Sequence, residues 1–280
     1  TPTGIWLNSS STAKGSTASL VWSHTTNAGD NRIMLVEFTI PDGTKSATSV
    51  TYGASPLTKI GVQNAESNDT RVEMWYLLAP AVGTANITIN LSASQKIVAG
   101  AQVYNGVNQT SPLGTFVSNF GTSTTASVVA SSDANDIIVD IAGPKGDADG
   151  LTVGGGQTQV FNDATGTAGE EARGAGSYEA GGASVTMSWT LSVSKKWAIA
   201  AVPVRSALSP TFTPTNTNTF TSTNTPTNTD TFTPTATSTP TGIWLNSSST
   251  AKGSTASLVW SHTTNAGDNR IMLVEFTIPD

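Results

Sequence analysis

Arg32-Ile33-Met34-Leu35-Val36-Glu37-Phe38-Thr39-Ile40 is an apolar run that ends directly at the turn residues Pro41-Asp42-Gly43. Short runs rich in β-branched and aromatic residues, bounded by Gly, Pro, Asn or Asp, are typical of β-strands. Further runs of this kind occupy residues 5–11, 19–26, 70–79, 85–93, 96–106, 136–142, 157–162, 184–192 and 195–205. No segment shows a convincing helical period. We therefore predict an all-β domain over residues 4–208, an antiparallel β-sandwich that is jelly-roll-like.

The run at residues 32–40 returns near the far end of the chain. Residues 239–280 repeat residues 1–42 without a difference, 238 positions later. Such a fixed period is typical of tandem arrays, so we expect residues 242–280 to be the start of the next repeat, a copy of residues 4–42. Left alone, the copied run at 271–278 would be an exposed hydrophobic edge, and we expect it to pair with material beyond Asp280 or in another chain. A duplication introduced in cloning would leave the same pattern.

A weaker repeat lies inside the predicted domain. Leu91-Ser-Ala-Ser-Gln-Lys96 matches Leu191-Ser-Val-Ser-Lys-Lys196 at an offset of 100, and Ile40-Pro-Asp-Gly43 resembles Gly143-Pro-Lys-Gly146. A duplication with pseudo-twofold related halves explains these matches. Hairpins that converge on similar turns explain them equally well.

Composition narrows the classes of partner. The chain has 13 Lys and Arg against 19 Asp and Glu, a net charge of −6, whereas nucleic-acid-binding proteins concentrate positive charge, so we expect no nucleic-acid partner. Cys is absent, which excludes disulfides and thiolate metal sites, and we expect no cofactor. No apolar stretch approaches the ~20 residues of a membrane span. Low charge with abundant Thr, Ser and Asn favours an extracellular or cell-surface location.

The composition changes abruptly after Leu208. Every odd-numbered residue from Thr211 to Thr241 is Thr, sixteen in succession, and the segment contains no Gly. Pro and β-branched Thr restrict the backbone, so we predict an extended, fairly stiff linker over residues 209–241. Extended, it would reach roughly 100–110 Å, whereas a compact domain of about 200 residues is only ~40–45 Å across. The linker is thus long enough to pass a whole neighbouring domain.

Four strand-like segments carry a resemblance to known proteins: Leu20-Val-Trp-Ser-His24, Arg32-Ile-Met-Leu-Val36, Val72-Glu-Met-Trp-Tyr-Leu77 and Ser184-Val-Thr-Met-Ser-Trp189. They resemble a tandemly repeated β-sandwich domain of large secreted bacterial surface proteins, whose copies are often joined by Thr/Pro-rich linkers. The order of domain, linker and domain also resembles glycan-coated extracellular fibres and adhesin stalks. This resemblance implies an extracellular structural role and no catalytic residues.

Clustered Thr with Pro is the compositional mark of O-glycosylated stalks. In a β-like conformation all sixteen Thr would lie on one side, where attached glycans would shield and stiffen the chain. The candidate attachment sites are Thr211, Thr213, Thr215, Thr217, Thr219, Thr221, Thr223, Thr225, Thr227, Thr229, Thr231, Thr233, Thr235, Thr237, Thr239 and Thr241. A bare polar spacer is the alternative.

Three aromatic residues occupy even positions of the linker. Phe212, Phe220 and Phe232 are separated by 8 and 12 residues, so in an extended chain they share the face opposite the Thr side chains. Burying each ring would contribute roughly 1.5–3 kcal/mol. We therefore predict that the linker docks on a domain, either by inserting these rings in grooves or by adding a strand to an edge. Scattered aromatic substitution in a drifting repeat would give the same spacing.

Signals of catalysis are thin. His24, with its copy His262, lies in a predicted strand, where an exposed or hydrogen-bonded role is more plausible than that of a base. Paired carboxylates could support glycoside cleavage, but nothing in the sequence pairs the candidates Glu73, Asp140, Glu170, Glu171 and Glu179. We therefore expect no enzymatic activity.

Five tryptophans decide between two non-enzymatic functions. A flat row of exposed rings would indicate sugar binding, whereas their place beside aliphatic residues favours core packing for Trp6, Trp22, Trp75, Trp189 and Trp197. We expect a structural repeating subunit of an extracellular, glycosylated bacterial filament, whose partners are other copies of itself and covalently attached glycans. The alternative is an adhesin or carbohydrate-binding stalk module.

Overall fold

The computed structural model of the protein describes residues 4–146, 150–166 and 171–207. Its strands are β1 (Trp6–Thr26), β2 (Ile33–Ile40), β3 (Ala47–Tyr52), β4 (Ser55–Pro56), β5 (Thr58–Asn64), β6 (Arg71–Leu78), β7 (Gly83–Asn105), β8 (Val117–Ala130), β9 (Ile137–Pro144), β10 (Leu151–Val153), β11 (Thr158–Ala164), β12 (Arg173–Ala180) and β13 (Val185–Val204). These strands pair antiparallel, and the described ranges contain no α-helix. The predicted all-β antiparallel sandwich is confirmed. The predicted linker at 209–241 and next repeat at 242–280 lie outside the described residues.

Some strand boundaries differ from the prediction. β1, β7 and β13 each join two predicted runs, because the pairing with the neighbouring strand resumes beyond the small and polar residues that separate the runs. Four strands of six residues or more, β3, β5, β8 and β12, were not predicted. They are rich in Ser, Thr, Gly or Ala, and their place in the sheet depends on backbone pairing more than on an apolar pattern.

The strands form two sheets with the same strand order, except that the short β4 at one end of the first sheet has no counterpart in the second. The first has the order β4-β3-β7-β2-β6-β5 with β1 paired to β7, and the second has the order β10-β13-β9-β12-β11 with β8 paired to β13. Leu91 of β7 pairs with Ala47 of β3, just as Leu191 of β13 pairs with Leu151 of β10. The offset of 100 seen in the sequence therefore marks equivalent positions. The offset could arise by duplication or by hairpins that converge on similar turns, and the shared strand order favours duplication.

Each sheet folds back over itself at a bend in its longest strands. Ser11 Oγ lies 2.7 Å from His24 Nδ1 within β1, although residues 13 apart in a straight strand would be separated by about 43 Å. The bend lies at a register shift between Thr17 and Ser19, where the Ser19 N–H donates to Thr17 Oγ1 at 3.1 Å. β1 thus borders two layers of the same sheet.

The second sheet has the same irregularities. Its edge strand β8 shifts register between Ser123 and Thr125, and the Thr125 N–H donates to Ser123 Oγ at 3.2 Å. β5 has a shift before Gly61 and β11 has one before Phe161, again 100 residues apart. The two halves therefore share their bulges and bends as well as their strand order.

Three apolar cores result from this arrangement. One closes inside each folded sheet. The third lies between the sheets and contains Ile33 and Leu35 of β2 together with Val139 and Ile141 of β9. Because a core lies on each side of β2 and β9, both strands are buried throughout, which explains the continuous apolar run at residues 32–40.

Two ion pairs cross between the halves reciprocally. Lys96 Nζ of the first half lies 2.7 Å from Glu171 Oε1 of the second, and Lys196 Nζ of the second lies 2.8 Å from Asp69 Oδ2 of the first. The two lysines lie at the bends of β7 and β13, and the two acids lie two positions before β12 and β6. Such an exchange of equivalent contacts is what a twofold axis between the halves produces.

Candidate functional site

The residues that the sequence singles out for glycosylation and docking lie outside the described residues. They are Phe212, Phe220, Phe232 and the sixteen Thr of the linker, from Thr211 to Thr241. Their roles stay predictions. The described domain does show the surroundings of the polar groups, the tryptophans and the strand edges, and these indicate the role of each.

Glu73 of β6 lies inside the first core, and its side chain is 0% exposed. Its carboxylate lies 2.7 Å from Arg71 Nε and 3.0 Å from Lys59 Nζ. It also accepts hydrogen bonds from the Trp75 indole at 3.0 Å and from the Ala47 N–H at 3.2 Å. These contacts tie β6 to β3 and β5. A carboxylate enclosed and neutralised in this way has a structural role.

Asp140 of β9 has a corresponding role in the second core. Its carboxyl group accepts hydrogen bonds from Ser177 N at 2.9 Å, Ser177 Oγ at 2.6 Å and the Trp189 indole at 2.8 Å. Burial raises the pKa of Asp140 to about 7, although the bonds from Ser177 and Trp189 oppose the rise. The Asp140 side chain is enclosed by protein, so its carboxyl group has a structural role and is not accessible to a substrate.

The other carboxylates of the predicted set do not complete a catalytic pair. Glu171 is held by Lys96, and Glu170 lies outside the described residues. Glu179 of β12 raises the pKa of Asp140 by its charge, and burial raises the pKa of Glu179 itself. Glycosidases need two carboxyl groups that flank one bond of the substrate. Asp140 is enclosed, so it does not offer that arrangement with Glu179.

Glu37 of β2 was missed by the sequence reasoning. It lies fully buried, where Gln102 Nε2 donates to its Oε1 at 3.3 Å, while its Oε2 has no hydrogen-bond partner among the described residues. Tyr104 Oη donates in turn to Gln102 Oε1. Burial first, and then the charge of Asp140, raise the pKa of Glu37 well above its usual value. The signal in the sequence was one acid inside an otherwise apolar run.

His24 holds the two arms of β1 together. Its ring nitrogens lie 2.7 Å from Ser11 Oγ and 3.2 Å from Ser9 Oγ, and its ring meets Tyr52 edge-on at 6.0 Å. Burial lowers the pKa of His24 and favours the neutral ring. The expectation of a hydrogen-bonded strand residue is confirmed.

The five tryptophans of the described domain do not form an exposed platform. Trp75, Trp189 and Trp197 are buried, and Trp6 and Trp22 are partly buried. The Trp22 indole N–H donates to Ser11 Oγ at 2.9 Å. The rings therefore serve mainly to pack the layers of each half.

Two long strands have one open edge in the described domain. β1 pairs only with β7 and β8 pairs only with β13 among the strands of the described ranges. A strand that is paired on one side directs alternate N–H and C=O groups to its free side, where another strand can bind. The 14 residues of β8 include no charged residue and no Pro. These two edges form the candidate interaction surface.

The chain enters and leaves the described domain at one place. The Ala207 N–H donates to Gly106 O at 2.7 Å, and Gly4 O lies where a Cβ at residue 106 would be. Gly106 has a φ of 77°, in the left-handed region that Gly tolerates best. Gly4 and Ala207 are therefore neighbours across Gly106.

Comparison with known proteins gives no relative: no family model, no curated protein and no solved structure matches the chain. Within the described ranges, no group of three or more His, Asp or Glu residues is placed to hold a metal ion. The same ranges contain no helix that is long and apolar enough to cross a membrane.

Proposed function

We propose that the chain is a structural repeating subunit of an extracellular filament, in which β-sandwich domains alternate with O-glycosylated Thr-rich linkers. The observation that carries the proposal is the return of residues 1–42 at 239–280, after a linker in which every second residue is Thr. The domain supports it, since Glu73, Asp140 and His24 hold layers together and do not line an open cleft.

The burial of the tryptophans favours a scaffold over an adhesin. A sugar-binding module needs accessible aromatic faces, whereas the rings of Trp75, Trp189 and Trp197 are enclosed in the cores. Of the remaining two rings, Trp22 packs against the first core, and Trp6 is partly buried. No observation of the domain favours glycan recognition over packing.

The first and last described residues of the domain lie close together, so two linkers that flank a domain would begin and end near each other. Gly4 and Ala207 both contact Gly106, so each domain adds little to the path from one linker to the next. The linkers then supply most of the contour length, roughly 100–110 Å for each extended linker. In this arrangement their Thr face carries glycans, while Phe212, Phe220 and Phe232 dock on domains.

The test is assembly of the purified 280-residue chain. Electron microscopy and light scattering across a concentration series should show ordered filaments, and a matched chain that ends at Ala207 should assemble less readily because it lacks the linker and the second copy. Intact-mass measurement of native material should show hexose increments. Particles with the mass of one chain at every concentration would contradict a filament subunit.

A further inference from the structure

We infer that the open edge of β8 is the docking site for the edge strand β1 of the next copy of this domain. The inference rests on the proposed function and names the surface through which successive subunits bind. The occupant is a second copy of this chain's own domain, bound through backbone hydrogen bonds between two strand edges.

The edge of β8 lacks most of the protection that isolated edge strands carry, although its register shift between Ser123 and Thr125 bends the strand. Soluble proteins guard such edges with Lys, Pro or inward-pointing charges, and β8 has none of these. Side chains of β8 already bond four of its backbone groups: Ser127 O accepts from Asn119 Nδ2 and Thr125 O accepts from Ser123 Oγ, while the Phe120 and Thr125 N–H groups donate to Asn119 Oδ1 and Ser123 Oγ. The other groups on the free side of β8 have no strand partner within the described ranges.

The edge of β1 is almost as open. Its only charged side chain is Lys14, and Lys14 Nζ is held 2.7 Å from Asp163 Oδ1 of β11. That ion pair directs the charge toward the second half, away from the free edge. β1 therefore offers a second edge of matching Ser- and Thr-rich character, with one charged residue that is paired to the second half.

Three of the five large hydrophobic residues that are exposed in the described domain lie on these two strands, and the other two are Val82 and Val193. Of the large hydrophobic residues exposed in the described domain, Phe120 (51%) and Val129 (55%) lie on β8 and Val21 (51%) lies on β1. Cross-strand apolar pairs stabilise a sheet by roughly 0.2–1 kcal/mol each. Pairing of the two edges would thus bury apolar surface in addition to forming backbone hydrogen bonds.

The two edges face opposite sides of the domain. β1 lies across from β11, as the Lys14–Asp163 ion pair shows, whereas β8 lies across from β5, where Ser118 Oγ donates to Gln63 Oε1 at 2.7 Å. β5 and β1 are at opposite ends of the first sheet. A contact between different surfaces on opposite sides of a subunit propagates as an open filament unless the rotation closes a ring.

The tandem repeat in the sequence indicates how a second copy would be held close. Residues 244–264 repeat the sequence of β1, and residues 208–243 separate them from the end of the described domain. Those 36 residues reach at most about 120–130 Å, more than the ~40–45 Å diameter of a domain. In a tandem array, a linker of this length would hold successive copies of the domain at an effective concentration on the order of mM.

The test uses the full 280-residue chain with charges placed on the β8 edge. F120K combined with V129K should raise the concentration needed for filament formation at least about tenfold, because paired strands would have to bury or crowd two ammonium groups. V82K is the matched control, since Val82 is 55% exposed, like Val129, but lies outside β1 and β8. The control should assemble as the parent does.

The outcomes separate this inference from the proposed function. If the parent assembles and the F120K/V129K variant assembles at the same concentration, the edge inference is wrong and the filament stands. If the parent never assembles, both fall. Circular dichroism and thermal melting establish that the variants fold.

A second measurement applies even if the lysine variant unfolds. The native chain has no Cys, so V129C on one chain and V21C on another introduce unique thiols. A flexible bismaleimide should join V129C to V21C in assembled mixtures in at least about tenfold higher yield than it joins V129C to V82C. Equal yields would overturn the assignment of the β8 and β1 edges.

Discussion

Replacing Asp140 by Asn should remove much of the fall in stability that the domain shows as pH rises. Asp140 is enclosed in the second core, and burial raises its pKa from 3.8 to about 7 in the folded protein. Between these values the unfolded chain releases a proton that the folded domain retains. Stability from this group is therefore fully present below pH ~4, declines as pH rises, and is lost above pH ~7.

The size of the effect follows from the two pKa values. At about 1.4 kcal/mol per pH unit, the difference between 3.8 and about 7 corresponds to roughly 4 kcal/mol. Asn at position 140 has a cost of its own, since its amide N–H₂ would face a donor, either the Ser177 N–H or the Trp189 indole. That mismatch costs about 1–3 kcal/mol. D140N should be less stable than the parent by about this amount at pH 4, and more stable by about 1–3 kcal/mol at pH 8.

Other groups titrate in the same range, so the difference between parent and variant is the informative quantity. The raised pKa of Glu37 adds to the decline with rising pH. The lowered pKa of His24 acts in the opposite sense, because its stability is present above the usual value of 6.5 and is lost as pH falls. The His24 contribution is common to parent and D140N and cancels in the difference. The Glu37 contribution shrinks in D140N, because the charge of Asp140 helps to raise the pKa of Glu37, and this change has the same sign as the direct effect of the substitution.

The assay is urea unfolding followed by far-ultraviolet circular dichroism at intervals from pH 4 to 8. E171Q is the control, because Lys96 and Thr165 lower the pKa of Glu171, so its titration lies below pH 4.5. The E171Q curve should run parallel to the parent between pH 5 and 8. Parallel curves for D140N over the whole range would refute the argument, since they would mean that Asp140 ionises as freely in the folded protein as in the unfolded chain.

Two further predictions concern packing and the linker. A Cβ at Gly100 of β7 would overlap the Phe161 ring in the core between the sheets, so G100A should lower the free energy of unfolding by about 1–3 kcal/mol. G155A is the control, because Gly155 has open space around it, and it should change the free energy of unfolding by less than about 1 kcal/mol. Urea unfolding of both variants measures these changes. Replacing all three linker rings by Ser should weaken filaments of the 280-residue chain, as seen by electron microscopy, because the docking energy of Phe212, Phe220 and Phe232 is lost; filaments that persist unchanged would rule out docking through these rings.

The sequence was informative where apolar side chains determine the structure. The strands β2, β6 and β9 were placed within two residues of their observed bounds, because each is a nearly continuous apolar run. β8 was missed because its Ser and Thr residues belong to a sheet edge, where backbone pairing with β13 determines the structure. The offset between Leu91 and Leu191 was visible in the sequence, but only the common strand order separates duplication from convergent turns.

For the polar sites too, the sequence indicates individual residues but not the partners that distant strands bring to them. Asp140 and Glu73 were named from the sequence, but their partners could not be, since Trp189 reaches Asp140 from a strand 49 residues later. Glu37 was overlooked because it stands inside the run that predicts β2. Whether such an acid is exposed or enclosed depends on the second sheet, and no local pattern encodes the position of that sheet.

The duplication and the open edges follow from one geometric constraint. A single folded sheet would leave Ile33 and Leu35 of β2 exposed on its outer face, so neither half can bury its own surface. The other half covers that face, and the reciprocal pairs Lys96–Glu171 and Lys196–Asp69 fix the twofold arrangement. A twofold axis covers faces, but it reproduces every free edge on the opposite side of the domain. An open edge on each side is the surface that the proposed contact between copies would use, and a tandem array would hold those copies within reach.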